Sequence, residues 1–204
     1  EMAAVLAESV RTTSVMLAML VGALLFNNFL DLTRVPAELG GWLAGLQVQL
    51  QKNEMESYQR SQALLLLNDM ANRIATNRNV AASYVTGTSS SLGVGMTCPT
   101  TTTTVAQRDL GEWCEALKGA AETKGTGSTT VSVGALVGGR GCVEAVDGNY
   151  LVTVAWQGLT PISAPPTSVA CGAGSYNGAT GSTCINDRCR RAVTTLVGIA
   201  ILTP

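Results

Sequence analysis

Six cysteines, Cys98, Cys114, Cys142, Cys171, Cys184 and Cys189, are the residues of this 204-residue chain best suited to chemistry, and that chemistry is cross-linking. All six lie in the C-terminal part, in sequence rich in Gly, Thr and Ser. An even number in such a setting predicts disulfides formed in an oxidising compartment, each restricting the unfolded chain by ~2–4 kcal/mol. Zinc is the rival reading. It is disfavoured because no CxxC pair occurs, and the Cys184 to Cys189 spacing has neither a matching second pair nor any His. Six cysteines allow fifteen pairings. A weak preference falls on Cys114 with Cys142, since both flank well-formed elements.

Catalytic chemistry finds little support. His is absent, which removes Ser-His-Asp and Cys-His mechanisms and the usual proton shuttle near neutral pH. The remaining acid pairs, Asp109 with Glu112 and Glu144 with Asp147, have spacings common on solvated surfaces, and there is no Gly-x-Ser-x-Gly elbow. The expectation is a non-enzyme with no catalytic residue, no cofactor and no metal. A net charge of −1 with 13% charged residues leaves no basic surface for nucleic acid.

The elements that carry the cysteines read in three parts: an apolar membrane-associated segment over 1–42, an amphipathic spine helix over 43–86, and a Cys-rich α+β head over 87–204. Val15 to Phe26 is an unbroken apolar run, extended by Phe29 and Leu30 and interrupted by Asn27, Asn28 and Asp31. A bilayer span takes ~20 apolar residues, so this run predicts a short or imperfect span or a re-entrant helix. A buried core helix is the alternative, but the chain has few large apolar residues to wrap one. Glu1 and Glu8 precede the run, only Arg11 is basic and the first residue is not Met, a pattern unlike a cleavable signal peptide. The chain is therefore expected to be a processed or truncated product.

Pro36 and Gly40-Gly41 are expected to punctuate the helical pattern before the spine begins. On the spine, Leu46, Leu50, Ser57, Ser61, Leu64, Ala71 and Ala75 share one face at 100° per residue. Val48, Met55, Leu66 and Met70 form a second apolar line. One line would pack on the chain's own sheet and the other on neighbouring subunits, or both belong to one broad core-facing stripe; periodicity does not choose. Glu56 to Arg60 and Asp69 to Arg73 supply i,i+4 ion pairs.

Residues 86–104, with the run Thr100 to Thr104, read as loop. A brief helix over Gln107 to Leu117 is expected, with Asp109 as its cap and Trp113 as its anchor. Thr129 to Val137 alternates as a strand does. Cys142 to Val146 and Tyr150 to Trp156 flank Asp147-Gly148-Asn149 as a hairpin, and Arg191 to Leu202 supplies a last strand. Pro161 to Arg190 is a long stapled loop. The fold class is α+β, a long N-terminal helix packed on a small antiparallel sheet of about four strands with bridged loops.

The run Leu43 to Arg78, through Ala44-Gly45-Leu46-Gln47, Arg60-Ser61-Gln62-Ala63, Asn68 to Arg73 and Asn77-Arg78, resembles minor pilins of the type IV pilus, of the PilV-type pilus modification family. The likeness continues through Asp109-Leu110, Trp113, Gly138-Gly139-Arg140-Gly141-Cys142, Tyr150 to Trp156 and Cys189-Arg190-Arg191, so it covers about residues 43–204. It implies a pilin-like fold and an inner-membrane anchor, with the head in the periplasm and later on the extracellular pilus. It also implies a role in the initiating or tip complex, and with it twitching motility and cell adhesion. The partners implied are other minor pilins, the major pilin, a tip adhesin, the inner-membrane assembly platform and membrane lipid. Leu46, Leu50, Ser57, Ser61 and Leu64 would form the helix-packing interface. A type II secretion pseudopilin shares the same plan and is the nearest alternative.

The start of the chain departs from that family. Such pilins begin with a Phe-Thr-Leu-Ile-Glu type sequence, which is absent here, and none of Glu1, Glu8 or Glu38 has the surroundings of the family's registration glutamate. Residues 5–46 instead resemble a membrane segment of the large permease subunit of TRAP transporters. The carriers of that likeness are Glu8-Ser9, Arg11-Thr12-Thr13, Gly22 to Phe29 and Pro36 to Leu39. The two likenesses overlap at Leu43-Ala44-Gly45-Leu46, which reads as a seam and implies a chimera. The alternatives are an unusual pilin whose anchor shares only apolarity with the transporter, and a transporter fragment fused to an extracytoplasmic domain.

Overall fold

The computed structural model describes residues 2–120, 123–125, 131–132, 134 and 136–199. It divides into two units, 1–51 and 52–204.

In the first unit, helix α1 runs over Met2–Thr33 and helix α2, Val35–Thr76, begins after a single break at Arg34, whose φ is 53°. The helical pattern therefore breaks earlier than Gly40-Gly41, and the two glycines lie inside α2. Pro36 stands in the first turn of α2, where its missing N–H would have had no helical acceptor. The Glu38 amide closes that turn on the Arg34 carbonyl at 3.1 Å. Glycine inside a helix costs about 1 kcal/mol relative to Ala, which a helix of 42 residues tolerates.

In the second unit, the C-terminal part of α2 is followed by a 3-10 helix, Arg78–Tyr84, and short strand β1, Leu92–Gly93. Helix α3, Val105–Leu117, precedes the paired short strands β2, Thr123–Lys124, and β3, Val131–Ser132. Strands β4, Arg140–Val146, β5, Asn149–Gln157, and β6, Arg190–Val197, complete the chain. The main sheet is antiparallel with order β1-β4-β5-β6. Of the expected strand over Thr129 to Val137, only Val131–Ser132 is a strand; residues 129, 130, 133 and 135 lie outside the described residues, as does the expected strand end beyond Ile199.

The β4–β5 hairpin turns at Asp147-Gly148, with φ of 48° and 76°. Two consecutive positive values mark the turn whose twist matches that of the flanking strands. The expected hairpin is present, but Asp147 rather than Asn149 takes the left-handed conformation beside the glycine. Helix α3 starts two residues before its expected position, because Thr104 caps it. The Thr104 hydroxyl accepts from the Gln107 amide at 3.2 Å, and the Gln107 side chain accepts from the Thr104 amide at 3.2 Å. Asp109 is not the cap and serves elsewhere.

One face of α2 supplies the floor of the head's core through Ala63, Leu67, Met70 and Ile74, spaced four, three and four residues apart. They pack with Tyr84, Trp113, Leu117, Val143, Val152 and Val154. Trp113 is fully buried and its indole N–H donates to the Leu66 carbonyl at 2.9 Å, which ties α3 to α2. A long apolar helix, a second helix and a bridged four-stranded antiparallel sheet make this a pilin-like α+β architecture.

Candidate functional site

For a chain of this architecture the surfaces that can act are the bare helix, the bridged loops and the polar joint where α2 meets α3. The bare helix comes first. Val5–Thr33 is long and apolar enough to cross a membrane, and none of it is buried. Its 29 residues reach about 44 Å at 1.5 Å per residue, against a hydrocarbon core of about 30 Å. Four of its hydroxyls are satisfied within the helix: Thr12 donates to the Glu8 carbonyl at 2.5 Å, Thr13 to Ser9 and Ser14 to Val10 at 2.8 Å, and Thr33 to Phe29 at 2.8 Å. Such back-bonding lets polar side chains sit in lipid without an unmet donor.

Further along, Leu46, Leu50, Ser57, Ser61 and Leu64 are all exposed. The stripe that does face the head, Gln59, Ala63, Leu67, Met70 and Ile74, matches neither apolar line drawn from periodicity, although Met70 and the partly buried Leu66 belong to the second line. The polar Gln59, only 1% exposed, hides the stripe's beginning. The signal that finds the rest is the four-three-four spacing from Ala63 to Ile74.

The cysteines form three bridges: Cys98–Cys114, Cys142–Cys171 and Cys184–Cys189, with Cα separations of 5.6, 5.8 and 5.2 Å. The preferred Cys114–Cys142 pairing is wrong. Helix α3 and strand β4 already meet through apolar contact, with no room for a Cβ on Gly141 beneath the Trp113 ring. The bridges go instead to segments without regular hydrogen bonding. Cys98–Cys114 pins the loop before α3 onto that helix, and Cys142–Cys171 pins the long loop over 158–189 onto β4.

Arg190, at 3% exposure, completes the staple of that loop. Its Nη1 donates to the carbonyls of Val169 at 2.6 Å and Cys171 at 3.1 Å, while its Nε lies 3.3 Å from Asp187 Oδ2. Asp187 Oδ1 accepts from the Gly174 amide at 2.8 Å. Nearby, the Tyr176 hydroxyl donates to the Gly138 carbonyl at 2.8 Å, and burial raises its pKa above the ordinary phenol range.

The polar joint centres on Arg73. Its guanidinium meets Asp69 at 3.1 Å, as the i,i+4 spacing predicts, but also Asp109 at 2.8 Å and Glu112 at 2.7 Å on α3. Burial works against its charge, yet the hydrogen bonds it donates to Glu112, Asp69 and Asp109 outweigh burial and raise its pKa further above the usual range. The Tyr84 hydroxyl donates to Asp109, and burial followed by that bond pushes the phenol up to about 12. Asp109 and Glu112, the first acid pair considered for catalysis, are thus partners of one arginine. In the second pair, Glu144 has a carboxylate oxygen that is buried and accepts no hydrogen bond; burial raises its pKa, while Asp147 forms the hairpin turn. Neither residue lines the cleft beside α3 at Gly111 or the one beside Glu56 and Arg191.

The expected Glu56–Arg60 pair does not form. Glu56 is taken by the head: its Oε1 accepts from the Leu159 amide and from Arg191 Nη2, both at 3.1 Å. Among the described residues no group of three or more His, Cys, Asp or Glu is placed to hold a metal.

An apolar N-terminal helix ahead of a three-bridge head marks a membrane-anchored or secreted extracytoplasmic protein. No family model, curated protein or solved structure matches the chain.

Proposed function

We propose that this chain is a minor pilin, a structural subunit of the initiating or tip complex of a type IV pilus, held in the inner membrane until it joins the filament. The observation that carries the reading is the pairing of a 29-residue apolar helix with no buried residue and a head that builds its own core on the next helix. Such a helix needs an apolar environment from outside the chain. Lipid supplies it before assembly and neighbouring pilin helices supply it afterwards, so burial is exchanged rather than created and packing decides the outcome. The exposed line of Leu46, Leu50, Ser57, Ser61 and Leu64 is the face offered to those neighbours, its serines allowing close approach. The bridged loops select among other minor pilins, the major pilin, a tip adhesin and the assembly platform. No catalytic step is required.

The test is the composition of filaments sheared from the cell surface. Mass spectrometry is expected to find this chain there at a small fraction of the major subunit. Recovery instead with the secretin machinery supports a type II secretion pseudopilin, whose architecture is the same. Restoration of solute uptake together with permease partners supports the transporter-fragment origin of residues 5–46 and removes the pilin reading.

A further inference from the structure

From the sequence, Pro99-Thr100-Thr101-Thr102-Thr103-Thr104 is a loop tract with no assigned role. All six residues are exposed and none lies in a helix or strand. The segment is nevertheless held at both ends. Cys98 is bridged to Cys114, and Thr104 caps α3. In between, the Pro99 carbonyl rests on α3 at Gly111, where an added Cβ would stand 2.6 Å from the carbonyl oxygen.

The five hydroxyls are not equivalent. Thr103 donates to Gln107 Oε1 at 2.5 Å, and Thr104 accepts from the Gln107 amide, so both belong to the cap. Thr100, Thr101 and Thr102 make no side-chain hydrogen bond to any described residue. Beside them runs an open groove of about 720 Å³, lined by Thr100 and Thr102 from the tract, and by Arg108, Gly111, Glu112 and Ala116 among the residues of α3. Small residues and charged or hydrogen-bonding groups line it together. That combination suits the flat apolar face and hydroxyl edge of a sugar ring.

We infer that Thr100, Thr101 and Thr102 are acceptors for O-linked glycosylation, with the attached sugar lying along the groove on α3. Thr-rich tracts next to proline are the composition on which O-glycans are carried. Here the tract is also exposed and pinned at both ends, and three of its hydroxyls make no hydrogen bond to a described residue. In the transfer, a threonine Oγ attacks the anomeric carbon of a phosphate-activated sugar. The C1–Oγ bond forms as the bond from C1 to the phosphate oxygen breaks; the phosphate leaves with the electron pair and the hydroxyl proton passes to a base of the transferase. No oxidation or reduction is involved. The inference rests on the extracytoplasmic placement of the head and not on assembly into a filament.

The experiment is peptide mapping of the full chain purified from its own cell envelope, after alkylation of free thiols and then reduction, with fragmentation that retains side-chain adducts. The expected result is the mass of one or more whole sugar residues on Thr100–Thr102 in the tryptic peptide 79–108, absent when all three are changed to Ala. That triple variant leaves the capping box and the Cys98–Cys114 bridge intact, and its thiols are expected to stay protected from the first alkylation. An unmodified tract in the natural chain, or sugar confined to other residues, overturns the inference. Thiols open to that first alkylation in the natural chain overturn the extracytoplasmic reading as well, which separates the two failures.

Discussion

The two units of the chain treat their apolar residues in opposite ways. In residues 2–51 the large side chains are outside: Leu24 is 65% exposed, Phe26 61% and Leu32 83%. In residues 52–199 Met70, Ile74 and Trp113 are at 0%. Leu, Val and Met occur in both regions, so residue type alone does not decide whether a large side chain is buried. What differs is the presence of a second layer. The head has a sheet and α3 to lay on its helix, and it closes by itself; the N-terminal helix is left for a solvent other than water to complete.

The largest break of this contrast is deletion of residues 1–51. The chain from Lys52 onward is expected to move wholly from the detergent-requiring membrane fraction to the soluble fraction. It should keep cooperative thermal unfolding, as followed by circular dichroism after ultracentrifugation. Loss of cooperative unfolding would mean that the head depends on the segment before it.

Within the head, the bridges should rank by the loop they close, since the entropy removed from the unfolded chain grows with loop length. Their sequence separations are 29, 16 and 5. Changing both cysteines to Ala should cost about 3.6 kcal/mol for Cys142–Cys171, about 3 for Cys98–Cys114 and about 2 for Cys184–Cys189, read from urea midpoints. A reversed order would place their role in native geometry rather than in the unfolded state.

Arg73→Met should cost about 2–4 kcal/mol by the same measurement. It leaves Asp69, Asp109 and Glu112 facing one another with no cation between them, and removal of one partner from a partly buried ion-pair group is destabilising on that scale.

The smallest effect belongs to Glu144 and has the opposite sign. Its pKa is higher in the folded chain than the ordinary 4.5, so the folded state binds its proton more tightly and stability falls as pH rises from about 4.5 through the folded value. Glu144→Gln is therefore expected to raise the melting temperature at pH 7, with the gain fading below about pH 4. A gain that persists at pH 3 would point to a packing effect instead of ionisation.

Local signals carried most of the head. The triplet Asp147-Gly148-Asn149 marked the hairpin because few residues accept positive φ, and the runs on either side of it, 142–146 and 150–156, are its paired strands. The pairing of cysteines was not legible, since it depends on which loops the closed core leaves unsupported. Nor was the role of Asp109, because the arginine that claims it lies 36 residues away on another helix. The buried stripe of α2 was partly hidden by Gln59, a polar residue whose burial only the neighbouring sheet explains. Glu56 misled for the same reason: its i,i+4 partner was present in sequence, but Arg191 and the Leu159 amide competed for it from the head.

Placement of a photo-crosslinking residue at Ser61 in living cells tests most directly whether the exposed helix face is a subunit interface. Ser61 lies on the face of α2 that the head does not cover. If the chain is a pilin, irradiation will join it to other subunits that carry an apolar N-terminal helix, and those products will appear in sheared filaments. Products formed solely with transport permease subunits, with filaments free of this chain, would contradict the account.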